Sequence, residues 1–113
     1  MAESPAAGPE VLARLAAVIE QRRSADPERS YVARRLAQGR HRIAKKLGEE
    51  AVECALAAVD GAPETLVAES ADLLFHLLIL WAACGVAPEQ VFAELARREG
   101  TSGLDEKRAR RAE

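Results

Sequence analysis

Two pairs of acids, Glu50-Ala-Val-Glu53 and Glu69-Ser-Ala-Asp72, are the residues of this chain best placed to do chemistry. Each pair is spaced i,i+3 within a stretch that otherwise reads as helix. At about 100° per residue, both carboxylates of a pair fall on one helix face. Fifteen residues separate the pairs, among them the break Gly61-Ala62-Pro63, which is enough chain to fold the second helix back antiparallel to the first. Four carboxylates can then meet in one gap. Like charges so placed repel, and such a cluster generally needs a cation. An all-oxygen donor set suits a hard ion, Mg²⁺ or Mn²⁺. Di-iron bundles use Glu-x-x-His on two helices, whereas the residues three after Glu50 and Glu69 are Glu53 and Asp72, which points away from iron.

The side chains around the acids extend the pattern. Arg42, Lys46, Glu50 and Glu53 step by four, four and three, with Lys45 and Glu49 alongside. Basic residues crowd the start of this helix, where the helix dipole disfavours them, and Lys four before Glu is the weaker order for a helical ion pair. The layout is poorly tuned for helix stability but suits cations that hold phosphate oxygens beside carboxylates that hold metal. Taken alone, one such helix also reads as a solvated charged face, with ion pairs of about 0.3–0.5 kcal/mol each. The second pair shifts that balance. Glu69, Asp72 and His76 share a face of a helix that is apolar elsewhere, and acids buried there unpaired are strongly destabilising. His76 has three readings: a donor to a carboxylate, a phosphate contact, or a satisfied core histidine, the last preferred. No Gly-rich phosphate loop, nucleophile elbow or Cys/His zinc pattern is present.

The elements that must position these residues are all helical. Leu12, Leu15, Ala16 and Ile19 mark an amphipathic helix from Glu10 to about Arg23, stopped by Asp26-Pro27. Ser30 is an N-cap for a short helix to Gln38, with Gly39 as its stop. A third helix spans about Arg42 to Val59 with a core stripe of Ile43, Leu47, Ala51, Cys54 and Ala58. Pro63 opens a fourth that runs to Cys84, and Pro88 a fifth that closes near Arg98. Thr101 to Glu113 is expected to be a charged tail, and residues 1–9 a loose lead-in. The prediction is an all-α bundle of about five helices forming one domain over 1–113. From Leu73 to Cys84 the fourth helix is apolar on almost every face, and so small a bundle has too few helices to cover it, so a homodimer built on that helix is expected.

Composition supports this frame. At 113 residues and 49% apolar the chain can build a core, but at 4% aromatic that core is aliphatic. A formal charge of −2 argues against general nucleic-acid affinity. The longest apolar run, Leu73 to Gly85, is short for a membrane span and carries His76. Met1 to Pro9 lacks the basic start and apolar stretch of a signal peptide, so a cytoplasmic protein is expected. Cys54 and Cys84 lack metal-type spacing and read as buried free thiols.

The acidic pairs in this order resemble the MazG-like all-α nucleotide pyrophosphohydrolases. The flanking text narrows the likeness. Ser30-Tyr31, Gly39, the run Lys45-Lys46-Leu47-Gly48-Glu49-Glu50-Ala51-Val52-Glu53, Glu69-Ser70-Ala71-Asp72-Leu73-Leu74-Phe75-His76 and Gly100-Thr101-Ser102-Gly103-Leu104-Asp105-Glu106-Lys107 are similar to the phosphoribosyl-ATP pyrophosphatase family over roughly Leu12 to Arg110. The resemblance implies a dimeric, cytoplasmic helical bundle that hydrolyses the α–β phosphoanhydride of 1-(5-phosphoribosyl)-ATP. The products would be phosphoribosyl-AMP and pyrophosphate, in the second step of histidine biosynthesis. It implies Glu50, Glu53, Glu69 and Asp72 as ligands of Mg²⁺ or Mn²⁺, with Glu49 as an extra ligand or water-orienting base. Lys45 or Lys46 would neutralise the departing pyrophosphate, and Arg22, Arg42 and Lys107 are candidates for the ribose phosphate. Some relatives are fused to the cyclohydrolase of the next step; this chain has neither the length nor the cysteines for it, so that activity is expected to be absent. Two rivals stand beside this reading: a house-cleaning hydrolase of non-standard nucleoside triphosphates, and a helical interaction module whose acids form a salt-bridged face.

Overall fold

Ser30 shows how locally the helices are set. Its backbone is extended, and its Oγ accepts the Ala33 N–H at 3.1 Å, satisfying one of the amides that a helix start leaves unpaired. The computed structural model describes residues 7–100 and 103–112. Among them the chain is all-α: α1 (Glu10–Arg22), α2 (Tyr31–Ala37), α3 (Arg40–Asp60), α4 (Pro63–Cys84), α5 (Pro88–Arg98) and α6 (Gly103–Ala112). Most of the lead-in expected over 1–9, and the Thr101-Ser102 part of the expected tail, lie outside the described residues.

The all-α expectation holds, with a sixth helix beside the roughly five expected. Where a charged tail was expected, α6 runs through Gly103–Ala112, with Asp105 near its start and Arg110 and Arg111 in its last turn. That order complements the helix dipole, and Leu, Lys, Arg and Ala are strong helix formers, so high charge does not prevent a helix here.

The framework of the site is the α3–α4 hairpin. The two helices make the most extensive packing in the fold and are joined only by Gly61 and Ala62, so α4 returns antiparallel along α3. Gly61 permits so tight a turn: a Cβ there would stand 2.9 Å from the Ala57 carbonyl oxygen and 3.3 Å from Thr65 Cβ. Gly61→Ala is therefore expected to lower stability by about 1 kcal/mol, seen as an earlier urea midpoint. At the far end of α4, Gly85 takes a left-handed φ of 71°, and Val86 N–H reaches back to the Trp81 carbonyl at 2.9 Å. The last turn of α4 has no basic residue of its own. Arg23 of the α1 end supplies one instead, donating Nη2–H to the Ala82 carbonyl at 2.6 Å, with Arg40 reaching Ala83.

The core gathers Ile19, Val32, Ile43, Leu78 and Ile79, with Leu12, Leu15, Phe75 and Trp81 packed around them. Along α3 the buried positions are Ile43, Glu50 and Ala57, while Ala51 and Ala58 of the expected stripe are exposed. The helix is rotated relative to the expected stripe, which puts an acid at the centre of its packed face. Of the cysteines, both free, Cys54 is half-buried, but Cys84, the last residue of α4, is exposed rather than buried as expected.

By length and composition alone the whole of α4 would cross a bilayer, with a mean hydropathy of 1.6 in its most apolar window, so the apolar stretch is longer than Leu73 to Gly85 suggested. Glu69, Asp72 and His76 sit within it, and an acid at a bilayer centre costs roughly 2.5–3.5 kcal/mol. α5 docks on α1 and carries its own charge cluster. Arg97 and Arg98 donate to the Glu94 carboxylate at 2.7 and 3.1 Å, holding its pKa down to about 2 from an ordinary 4.5. A depressed carboxylate stabilises the fold above its unfolded value and loses that contribution as pH falls through its folded one. The thermal-midpoint gap between wild type and Glu94→Gln is thus expected to be small but present at neutral pH, to shrink below 4.5, and to close near 2.

Candidate metal centre

Glu50 projects from the buried face of α3, and Glu69 and Asp72 from the facing side of α4. One oxygen from each of the three lies within 4.8 Å of the others. Glu50 is 5% exposed, and its Oε1 receives the Lys46 ammonium from one turn earlier at 3.0 Å. Its Oε2 and the Oε2 of Glu69 are both closed off from solvent and without a hydrogen-bond partner. Buried carboxylate oxygens left bare are costly, and a pair of them beside a third carboxylate is what a hard cation satisfies. The donor set therefore fits a divalent metal.

Glu53 stands just outside that triad. Burial first, then the negative charges of Glu53, Asp72 and Glu50, and a hydrogen bond with Glu53, hold the Glu69 carboxyl above its ordinary 4.5. All four acids of the two pairs thus share one electrostatic neighbourhood, with three of them able to converge on a single point. Behind them Cys54 and Ser70 meet at 3.5 Å across the hairpin.

Two open hollows flank the acids. One, of about 350 Å³, is lined by Arg35, Gln38, Arg42, Lys45, Lys46 and Glu49. The other, of about 360 Å³, lies toward the hairpin turn and includes Glu53, Asp60, Thr65 and Glu69. The structure thus gathers Arg42, Lys45, Lys46 and Glu49 in one basic groove that touches the acidic cluster through the Lys46–Glu50 pair. It does not bring Arg22 or Lys107 there. Arg22 is exposed at the end of α1, and Lys107 lines a separate surface hollow on α6 with Arg110 and Arg111. A larger apolar hollow of about 410 Å³, against Leu78, Trp81 and Pro88, is lined by two acids and no cation, a poor host for a polyphosphate.

His76 is buried, and both ring nitrogens are engaged within the protein: Nδ1 at 2.8 Å from the Asp72 carbonyl oxygen and Nε2 at 2.9 Å from the Tyr31 hydroxyl. It is a satisfied core histidine with no nitrogen left for a phosphate. Three groups near the site were not among the expected site residues: Tyr31, quoted only as part of the family likeness, Arg35 and Gln38. They step by four and three along α2 and its C-cap, the same face rule that singled out the acids, but their side chains are of mixed chemistry and formed no recognisable set.

The fold and site together define a class: an all-α protein with a carboxylate cluster between two antiparallel helices, beside a groove sized and charged for phosphate. Comparison with known proteins narrows it. Residues 12–99 match the family model described as phosphoribosyl-ATP pyrophosphohydrolase. Relatives called phosphoribosyl-ATP pyrophosphatase include one from Rhodospirillum rubrum, 56% identical over 97% of this chain and 94% of its own. Another, from Erythrobacter litoralis, is 59% identical over 88% of this chain and 95% of its own. A third, from Bordetella avium, is 50% identical over the full length of both. The chain belongs to the phosphoribosyl-ATP pyrophosphohydrolase family.

Proposed function

We propose that this protein hydrolyses 1-(5-phosphoribosyl)-ATP between its α and β phosphates, releasing pyrophosphate and phosphoribosyl-AMP in the second step of histidine biosynthesis, in the cytoplasm. The observation that carries the reading is the pair of buried, partnerless oxygens of Glu50 and Glu69 facing Asp72 beside a basic groove. Family membership supplies the substrate.

Glu50, Glu69 and Asp72 would hold Mg²⁺ or Mn²⁺, with Glu53 against Glu69 as a further ligand. Such an ion, when bound, would supply polarisation of phosphoryl oxygens and a more acidic water. The residues of the chain do the rest. Lys46 neutralises one side of Glu50 while facing the groove, so a single ammonium lies between the carboxylates and the substrate's phosphates. Lys45 and Arg42 extend that positive lining and stabilise the charge that develops on the departing pyrophosphate. Glu49, exposed in the same groove, would accept a proton from attacking water in this reading.

The active unit is a homodimer in this reading. Val52, Leu56 and Val59 recur at helical spacing on the face of α3 away from Glu50, and Val67 and Leu74 do so on α4; all five are exposed. To test the reaction, purified protein is offered phosphoribosyl-ATP beside ATP and several deoxynucleoside triphosphates, with Mg²⁺, and pyrophosphate is measured from each. Selective turnover of the first is expected. Equal turnover of the deoxynucleotides would favour the house-cleaning alternative, and no turnover of any would leave only an interaction module.

A further inference from the structure

Arg35 is held more firmly than any other cation lining the basic groove. Its Nε–H donates to the Tyr31 hydroxyl oxygen at 2.8 Å, and Nη1 donates to Gln38 Oε1 at 2.9 Å. The guanidinium carbon lies 5.1 Å from the centre of the Tyr31 ring, within cation–π range. Two of its five N–H groups are used, and neither acceptor is charged. Among the described residues no carboxylate pairs with it, in contrast to Arg23 on Glu20 and to Arg97 and Arg98 on Glu94. The other charged side chains of the groove are three cations, Arg42, Lys45 and Lys46, and one acid, Glu49. The Lys46 ammonium, favoured mainly by its bond to Glu50, is opposed by Arg35.

The bond chain behind Arg35 has a fixed direction. A carbonyl oxygen only accepts, so His76 Nδ1 carries the proton that it gives to the Asp72 carbonyl. In the Nδ1–H tautomer Nε2 is bare and accepts the Tyr31 O–H. That leaves the Tyr31 oxygen to accept from Arg35. His76 meets Tyr31 and Phe75 edge-on and Tyr31 stacks on Phe75, which locks the rings that carry these bonds. The backbone carbonyl at the end of the chain belongs to Asp72, whose side chain is in the acidic cluster.

We propose that Arg35 is a phosphate contact for the substrate, and that Tyr31 and His76 are positioning residues that fix its guanidinium relative to Asp72. The inference rests on the proposed hydrolase reading for the identity of the substrate, and on this geometry for the phosphate site itself. A planar fork held at Nε and Nη1, with its other hydrogens free and its charge unmatched, suits the oxygens of a phosphate group. Two cations brought together without an intervening acid on Arg35 are relieved by the same ligand.

The test uses the full-length protein with Mg²⁺ and inorganic pyrophosphate as the probe, followed by calorimetry, alongside steady-state kinetics on phosphoribosyl-ATP. Arg35→Gln is expected to weaken pyrophosphate binding and raise KM by about tenfold or more, with kcat less affected and Mn²⁺ affinity unchanged. Arg35→Lys should recover part of the loss. Tyr31→Phe, which deletes one oxygen and keeps the ring, should give a smaller loss of the same kind that vanishes when added to Arg35→Gln. Unchanged pyrophosphate affinity in Arg35→Gln, or full additivity of the two changes, would overturn the proposal. If Arg35→Gln does not fold, Arg35→Lys and Tyr31→Phe decide by the same KM and binding readouts. Arg35-dependent pyrophosphate binding in a protein that ignores phosphoribosyl-ATP would uphold this site and refute the assigned reaction; turnover indifferent to Arg35 would do the reverse.

Discussion

Glu69→Gln is expected to make the metal-free protein more stable near neutral pH and, in the same variant, to abolish Mg²⁺-dependent pyrophosphate release. The two effects have one cause. Burial and the charges of Glu53, Asp72 and Glu50 hold the Glu69 carboxyl above its ordinary 4.5, so in the folded, metal-free chain its ionisation is unfavourable. An acid raised on folding costs stability once pH climbs from the unfolded value through the folded one. Glutamine has the shape of the protonated side chain and retains a donor for Glu53, so it removes that cost. The gain in thermal midpoint, read in chelator, should therefore shrink as pH falls towards 4.5, where wild type takes up the proton for itself. Activity moves the other way. A glutamine is a poor ligand for a hard ion, and turnover should fall by more than the roughly 10–100-fold typical of residues that only orient a ligand. A variant that is less stable in chelator, or that keeps its turnover, would remove the cation from this account.

The second large effect concerns assembly. Leu56→Glu with Leu74→Glu is expected to convert a dimer into monomers, read as a halved mass in light scattering. Leu56 is 54% and Leu74 45% exposed in the single chain, on helices whose opposite faces hold the carboxylates. Apolar rows of this length on the outside of a fold mark a surface for a partner. A carboxylate buried in such a contact without a partner costs several kcal/mol, and each 1.4 kcal/mol is a tenfold loss, so association should weaken by at least about a hundredfold. Leu56 lines the hollow that Glu53 and Glu69 share, so Leu74→Glu alone, which does not, is the variant whose Mn²⁺ affinity separates lost assembly from lost metal binding. An unchanged mass would place these rows outside any interface.

Much of the fold was legible because its signals are local. Pro63 and Pro88 start their helices, Ser30 caps one, and Gly39 and Gly85 end others; each acts within four residues of its own position. The i,i+3 acids were legible for the same reason, since a helix alone determines that they share a face. α6 was missed because its signal is propensity and charge order rather than apolar periodicity, and a polar helix has no buried stripe to detect. Misjudging the rotation of α3 had a different origin. Ala51 and Ala58 suit a core as well as Ala57 does, and only packing against α4 selected the face that includes Glu50.

The linear chain by itself determined roughly where the first five helices lie, which acids point the same way, and the family to which those letters belong, because all of these depend on neighbours close in sequence or on the order of residues. Tertiary structure alone decided that Glu50, Glu69 and Asp72 come within 4.8 Å, that two of their oxygens lose both water and partner, and that Arg35 is tied through Tyr31 and His76 to the backbone of Asp72. Those contacts join residues up to 45 positions apart. Their geometry depends on the rotation of whole helices about their axes, a quantity that burial of the entire bundle sets and no short stretch of sequence encodes.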